Sequence, residues 1–454
     1  MAGFYSVFIT ALPGCLPAIA IANPGSNPTS PECIQACSLL RDTFPPNTYF
    51  PGNPNITVWD AKQETLSACW IRPSSPANVS ATLNTITNIS CRFTLKGGAH
   101  ARDPDDSVSA SGNTIDMQKM KAIEPSPDRK TVKLGAGHAL LSIYHGLEKY
   151  NLTTLGGRVA DVGLAGFVLS RGVSHLSPRY ELAVDNVLEY ELVLPNSTVA
   201  IVNQATQPDL YFALRGGMNN FGLTYTADKR DVIVKGAFWL TTDWKNDTAM
   251  AFYYSFGYDQ RIDDFSLAVS QEYSLPVLTP APFKDLNQIP YESSTVRIDW
   301  NSRLSVEGAT ATPPGGRNLF ATITYYPSDD LERQLQGIMA EEIQSIKKSP
   351  GFYPNLVIQP LYEAAIRAQK DRGGSATVVL LTALWENAQD DAQMNAFARK
   401  WVERSTAATK NAGKHRPWLY INYASPGQDP FLGYGKANLQ RLRDIHREGY
   451  FKLQ

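Results

Sequence analysis

The chain has 454 residues, 43% of them hydrophobic and 19% charged, with 42 basic residues set against 43 acidic ones. That length and apolar content supply more than one buried core and exclude a disordered chain. Near-neutral charge without a long basic run excludes the electrostatic footprint of a nucleic-acid or membrane-surface binder, so a small molecule is the expected partner.

Residues 1–22, MAGFYSVFITALPGCLPAIAIA, carry no acid or base and finish in Ala20-Ile21-Ala22, the small-x-small pattern of a signal-peptidase site. They read as a signal peptide, and no segment offers the roughly 20 unbroken apolar residues of a spanning helix. Removing them takes away Cys15 and leaves Cys33, Cys37, Cys69 and Cys91, an even set that fits disulfides in an oxidising compartment. Three pairings are open, and the spacing lacks the paired ligands of a zinc site. Six Asn-x-Ser/Thr sequons, at Asn55, Asn78, Asn88, Asn151, Asn196 and Asn246, agree with secretion and glycosylation.

Residues 23–63 form an arm rich in Pro, Asn, Ser and Thr, in which CIQACSLLRD is a short helix tied by cystines. From 64 to 232 short apolar strands alternate with glycine-rich turns. ANVSATLNTITNI and ALLSIYHGLEKY have helical spacing, and VLEYELVLPNSTVAIVN reads as a hairpin about a Pro-Asn turn. From 233 to 410 strands such as LFATITYY and long helices such as DDLERQLQGIMAEEIQSI make a second domain. The segment 411–454 adds a strand, PWLYINYA, a turn, and an amphipathic helix with Leu439, Leu442 and Ile445 on one face.

Several motifs are weak. Gly135-Ala136-Gly137 lacks the third glycine of a dinucleotide fingerprint, and GVSHL around Ser174 lacks the second glycine of a nucleophile elbow. What distinguishes the chain is a density of glycine loops: KGGAH, LGAGH, LGGRVADVGLAGFVLSRGVS and LRGGMNNFG. Amides from several such loops can converge on one extended anion without side-chain bulk, which suits a large phosphorylated cofactor; tight turns in an ordinary domain explain them equally well on chemistry alone.

The ordered set CWIRPSSPANVSATLNTI, FTLKGGAH, NTIDMQKMKAI, VKLGAGHALLSIYHGL, LTTLGGRVADVGLAGF, PDLYFALRGGMNNFG and YINYASPGQDPFLGYGKANLQRLRDI resembles the FAD-linked oxidoreductases of the berberine bridge enzyme type, within the vanillyl-alcohol oxidase superfamily. The resemblance implies an α+β fold: a two-part FAD-binding domain of p-cresol methylhydroxylase (PCMH) type, and a substrate domain whose antiparallel sheet is covered by helices. It implies that Lys96, Gly97, Gly98 and Ala99 wrap the cofactor and that His100 bonds the 8α-methyl carbon of FAD. Gly156, Gly157, Asp161, Gly163, Gly166 and Ser174 carry over as flavin contacts. Relatives with a second, cysteinyl tether hold it in the loop matching Arg158-Val159-Ala160-Asp161, where this chain has no cysteine, so one covalent link is expected.

The resemblance further implies an Asn-Tyr pair at the active site, here Asn422 and Tyr423, with Tyr423 taking the substrate's proton. A phenol near pKa 10 needs help to do so at neutral pH. Tyr420 and Asn422 are expected on the opposite strand face from Tyr423. Ala99, Ala165, Ser170, Arg171, Glu181 and Met218 stand where the family pattern reads glycine. The expected activity is a secretory-pathway, monomeric flavin oxidase passing electrons from a small organic substrate to O2, in a tailoring step of secondary metabolism. Sugar or alcohol oxidation, and a flavin-free small-molecule-binding glycoprotein, are the alternatives.

Overall fold

Pro31 to Thr43 forms a helix because Ser30 accepts from the Cys33 amide at 3.3 Å and a proline opens the first turn, while Cys33, Cys37 and Leu40 line one buried face. In this computed structural model, which describes residues 5–10, 29–53, 55–214, 223–244, 246–291, 293–311, 314–363, 365–366, 375–445 and 447, the cystines are Cys33–Cys91 and Cys37–Cys69. Both anchor that helix. Its neighbour, Pro76–Asn88, is capped by Ser75 and buries Val79, Leu83 and Ile86 as its spacing predicts. Beneath them lies a four-stranded sheet ordered Thr48–Tyr49, Cys69–Ile71, Asn113–Asp116, Phe93–Lys96. Removing the second cystine, as Cys37→Ser with Cys69→Ser, is expected to lower stability by about 2–4 kcal/mol, measured as the shift of a thermal or denaturant transition.

A five-stranded sheet follows, ordered Ile123–Pro125, Val132–Leu134, Tyr5–Thr10, Glu189–Val193, Val199–Asn203, with the last two strands forming the expected hairpin. Tyr5–Thr10, inside the expected leader, runs parallel to both its neighbours; cleavage after Ala22 would take this strand out of the sheet. A short apolar run cannot be told from a buried strand by composition. Helix Leu140–Glu148 packs Leu140, Ile143, Tyr144 and Leu147 into the core of this unit.

The seven-stranded sheet is antiparallel throughout, ordered 223–226, 264–273, 250–259, 353–361, 376–385, 317–325, 415–416. Alternation sends Phe252, Tyr254, Phe256 and Tyr258 into a core with helices Arg230–Thr242, Asp329–Glu342 and Asp391–Asn411. Tyr253, Phe320, Val357, Val378 and Leu380 point the other way and share a core with Leu164, Phe167, Tyr190 and the tail residues Trp418, Tyr420 and Tyr423. The α+β architecture with a helix-covered antiparallel sheet is as expected.

The tail departs from expectation. Only His415–Arg416 pairs as strand, because Pro417 has no N–H to continue the ladder; Ile421–Tyr423 is a turn of 3-10 helix. Gln428 fastens the tail to the sheet, donating to the Thr322 carbonyl at 2.7 Å and accepting from its amide at 3.0 Å. Among the described residues no helix is long and apolar enough to cross a membrane, and no His/Cys/Asp/Glu group is arranged to hold a metal ion. Of the sequon asparagines, Asn55, Asn88, Asn151, Asn196 and Asn246 are exposed and Asn78 is half-buried.

Candidate active site between the glycine loops and the sheet

The strand Phe93–Lys96 delivers the first loop. Its last residue turns its side chain away from that loop: buried Lys96 pairs with Asp116 at 3.3 Å, which also accepts from Arg72 at 2.8 Å, so the lysine supports the subdomain core and leaves its backbone to the loop. Gly98 then meets Gly163 of the second loop backbone against backbone, and a β-carbon on either would run into the other's main chain. Ala99 follows with φ 60°; Arg171 (85°) and Glu181 (65°) are likewise left-handed. Three of the positions where the family pattern reads glycine therefore need glycine's conformation, at about 1–2 kcal/mol each for a residue with a β-carbon. Ala165 and Ser170 do not, and Met218 lies outside the described residues.

His100 stacks on Trp59 with ring centroids 4.0 Å apart and planes 20° from parallel. Its Nε2 lies 3.6 Å from Asp161 Oδ1, too far for a hydrogen bond, and among the described residues neither buried atom has a hydrogen-bond partner. Burial, with Arg102 nearby, lowers the imidazole pKa to about 3. His100 is thus neutral at working pH, with the lone pair that bonding to carbon requires. Burial raises the Asp161 carboxyl as well.

Tyr423 is fully buried, and its hydroxyl donates to Gln359 Oε1 at 3.2 Å. The same oxygen accepts from Arg158 Nη2 at 3.1 Å. Burial pushes the phenol up to about 12, and Arg158 acts in the opposite direction. The 3-10 turn corrects the expectation of opposite faces: a three-residue repeat brings the Tyr420 and Tyr423 rings together, 4.6 Å apart and edge to face. Tyr420 accepts from the Val173 amide at 3.3 Å, and Asn422 donates to the Ser170 carbonyl at 3.2 Å, so both hold the 170–174 loop. Ser174 closes its own turn, its hydroxyl accepting from the Leu176 amide and its amide donating to Ser177. Gly156 lies against the Tyr144 hydroxyl, Gly157 accepts from that hydroxyl, and Gly166 borders open space.

The predicted residues thus form two groups: Gly97, Gly98, His100, Asp161 and Gly163 where the loops meet, and Asn422 and Tyr423 where the tail meets the loops and the sheet. Sequence reasoning missed Trp59 and Gln359, and noted Arg158 only for the cysteine that is absent beside it. Gln359 stands in an ordinary strand with no local signal.

The described residues fit an anionic dinucleotide. Arg171 is buried with its guanidinium 4.3 Å over the Tyr434 ring, and among the described residues its Nε has no hydrogen-bond partner and no carboxylate pairs with it. It comes from the glycine-rich segment 155–174, where a diphosphate would bring negative charge.

The family described as "FAD binding domain" matches residues 67–203. An FAD-dependent monooxygenase of Fusarium proliferatum is 31% identical over 430 residues, 85% of this chain and 83% of its own length. Another, from Cochliobolus heterostrophus, is 31% identical over 472 residues, 91% and 90% of the two chains. Among solved structures, 6-hydroxy-D-nicotine oxidase of Arthrobacter nicotinovorans superposes with a TM-score of 0.74 at 17% identity, covering 88% of this chain and 94% of that one. Glucooligosaccharide oxidase of Acremonium strictum gives 0.69 at 15% identity, covering 93% and 96%.

Proposed function

Because this chain belongs to the family of the fungal FAD-dependent monooxygenases, as relatives 31% identical over 83% and 90% of their length show, we propose that it is an oxidase of the berberine bridge enzyme type, carrying its flavin on His100 and oxidising a small organic molecule of secondary metabolism. The observation that carries this reading is the buried, neutral His100, stacked on Trp59 where the two glycine loops touch.

In this reading Gly97, Gly98, Ala99, Gly156, Gly157, Gly163 and Gly166 give the cofactor backbone amides and room, Ser174 shapes the adjoining turn, and Arg171 offsets its charge. Bound FAD supplies the two-electron acceptor. Tyr423 holds or takes the substrate hydroxyl proton, Gln359 fixes its hydroxyl, and Asn422 positions the loop opposite. Electrons pass on to O2, giving hydrogen peroxide. The fungal relatives' name favours a second reading, in which an oxygen atom enters the product. Peroxide yield measured against incorporation of isotopically labelled O2 separates the two.

The test is retention of yellow colour by acid-precipitated protein, with the flavin located on the peptide containing His100. Colourless protein expressed with ample riboflavin would end the reading. We assign the protein to the secretory pathway as a glycoprotein, on the strength of two cystines and five exposed sequon asparagines. The domain limits proposed are an arm at 23–63, an FAD domain at 64–232 completed by 411–454, and a substrate domain at 233–410. N-terminal sequencing of secreted material is expected to begin at Asn23; a retained Tyr5–Thr10 strand would overturn the assignment.

A further inference from the structure

Arg158 is 2% exposed. Its guanidinium lies over the Tyr253 ring at 4.6 Å, donates to the neutral Gln359 and bonds the Tyr423 hydroxyl; among the described residues its Nε has no hydrogen-bond partner and no carboxylate pairs with it. A permanent cation taken out of water in this way requires an anion. The nearby acids are committed elsewhere: Asp161 faces His100, and Glu272 faces His175 at 3.5 Å.

An open cleft of about 440 Å³ lies beside this part of the sheet. Its wall includes Ser270, which sits directly across the sheet from Tyr253, the ring on which Arg158 rests. Its mouth is apolar, with Leu275, Val277 and Leu278 all exposed. The cleft thus comes within one strand of the ring on which the buried charge rests, while Arg158 itself does not line it.

Resting on the oxidase reading, we propose that the substrate is an amphipathic acid: an apolar, aromatic or polyketide-like body bearing an anionic oxygen, which Arg158 receives next to Tyr423. The apolar body lies along the cleft mouth. The anionic oxygen replaces the missing counter-charge of the guanidinium, so acids are preferred over neutral molecules of the same shape.

The experiment titrates the purified holoenzyme with benzoate, and with benzamide as its neutral counterpart, following the visible flavin band. Benzoate is expected to perturb the band saturably and benzamide not to. Arg158→Met is expected to raise the benzoate Kd about 10- to 100-fold, as loss of a charge-assisted hydrogen bond does, and Arg158→Lys to recover part of it. Covalent flavin, measured on the digested peptide, is expected to stay at the wild-type level in both. Equal benzoate affinity in wild type and variants would overturn the proposal, as would equal binding of benzamide. So would a variant whose flavin spectrum or potential shifts while benzoate affinity does not, since Arg158 would then serve the cofactor. If the wild type lacks flavin, the oxidase reading fails separately, and calorimetric titration of the same proteins with benzoate still decides the role of Arg158. Should the Met variant not fold, the Lys variant decides alone: an unchanged Kd there overturns the proposal.

Discussion

His100→Ala is expected to abolish covalent flavin, from near-complete occupancy to none, as read by visible absorbance of acid-precipitated protein and by the mass of the peptide spanning residue 100. The reason is geometric as well as chemical. Trp59 fixes the plane of the ring, the Gly98–Gly163 contact fixes the loop that carries it, and burial keeps the nitrogen lone pair unprotonated. Cofactor held only by amides and by Arg171 would then wash out under denaturant, which the parent's would not. In protein prepared without flavin, where the imidazole is unsubstituted, the same substitution has a pH signature. A histidine titrates near 6.5 in the unfolded chain but near 3 here, so the unfolded state binds the proton first. Stability is unaffected by this group above pH 6.5 and declines as pH falls from 6.5 toward 3. The alanine variant should lose that part of the acid slope in a denaturation series; an unchanged slope would mean that His100 is not buried as described.

Tyr423→Phe is expected to lower kcat by about a hundredfold to ten-thousandfold, the usual worth of a positioned acid or base, with covalent flavin intact. The phenol is pushed up to about 12 by burial, so only a small fraction is ionised near neutrality. The parent's kcat should therefore climb with pH through the alkaline range, and the phenylalanine variant's should not. Rapid-mixing measurement of flavin bleaching under anaerobic substrate isolates this step from reoxidation. A variant with parental kcat would reduce Tyr423 to packing against Tyr420 and Phe320.

The loops were legible through the family resemblance, since glycine density alone fits ordinary tight turns equally well, and the helices because Val79, Leu83 and Ile86, or Leu140, Ile143 and Leu147, repeat at helical intervals. Cystine pairing was not legible, since four cysteines carry no record of which pairs the folded helix brings together. The tail misled for a local reason: WLYINYA alternates like a strand, yet Pro417 ends the ladder and the chain coils into a 3-10 turn. Gln359 and Tyr253 matter only through the sheet face they share, and that face is set by pairing between strands far apart in sequence. Ala99, Arg171 and Glu181 show the converse: the expectation of glycine there correctly located left-handed backbone that this chain occupies with larger residues.

The clasp formed by residues 420 to 428 has a consequence in time. Tyr420 and Asn422 hold the 170–174 turn and Gln428 grips Thr322, yet all three leave the ribosome after everything they bind. Nascent chains fold from the front, so each newborn copy passes through a stage with both glycine loops made and the lock still missing. That interval is when a bulky prosthetic group enters most easily, and a transcript cut short just before codon 420 would leave its protein permanently ajar.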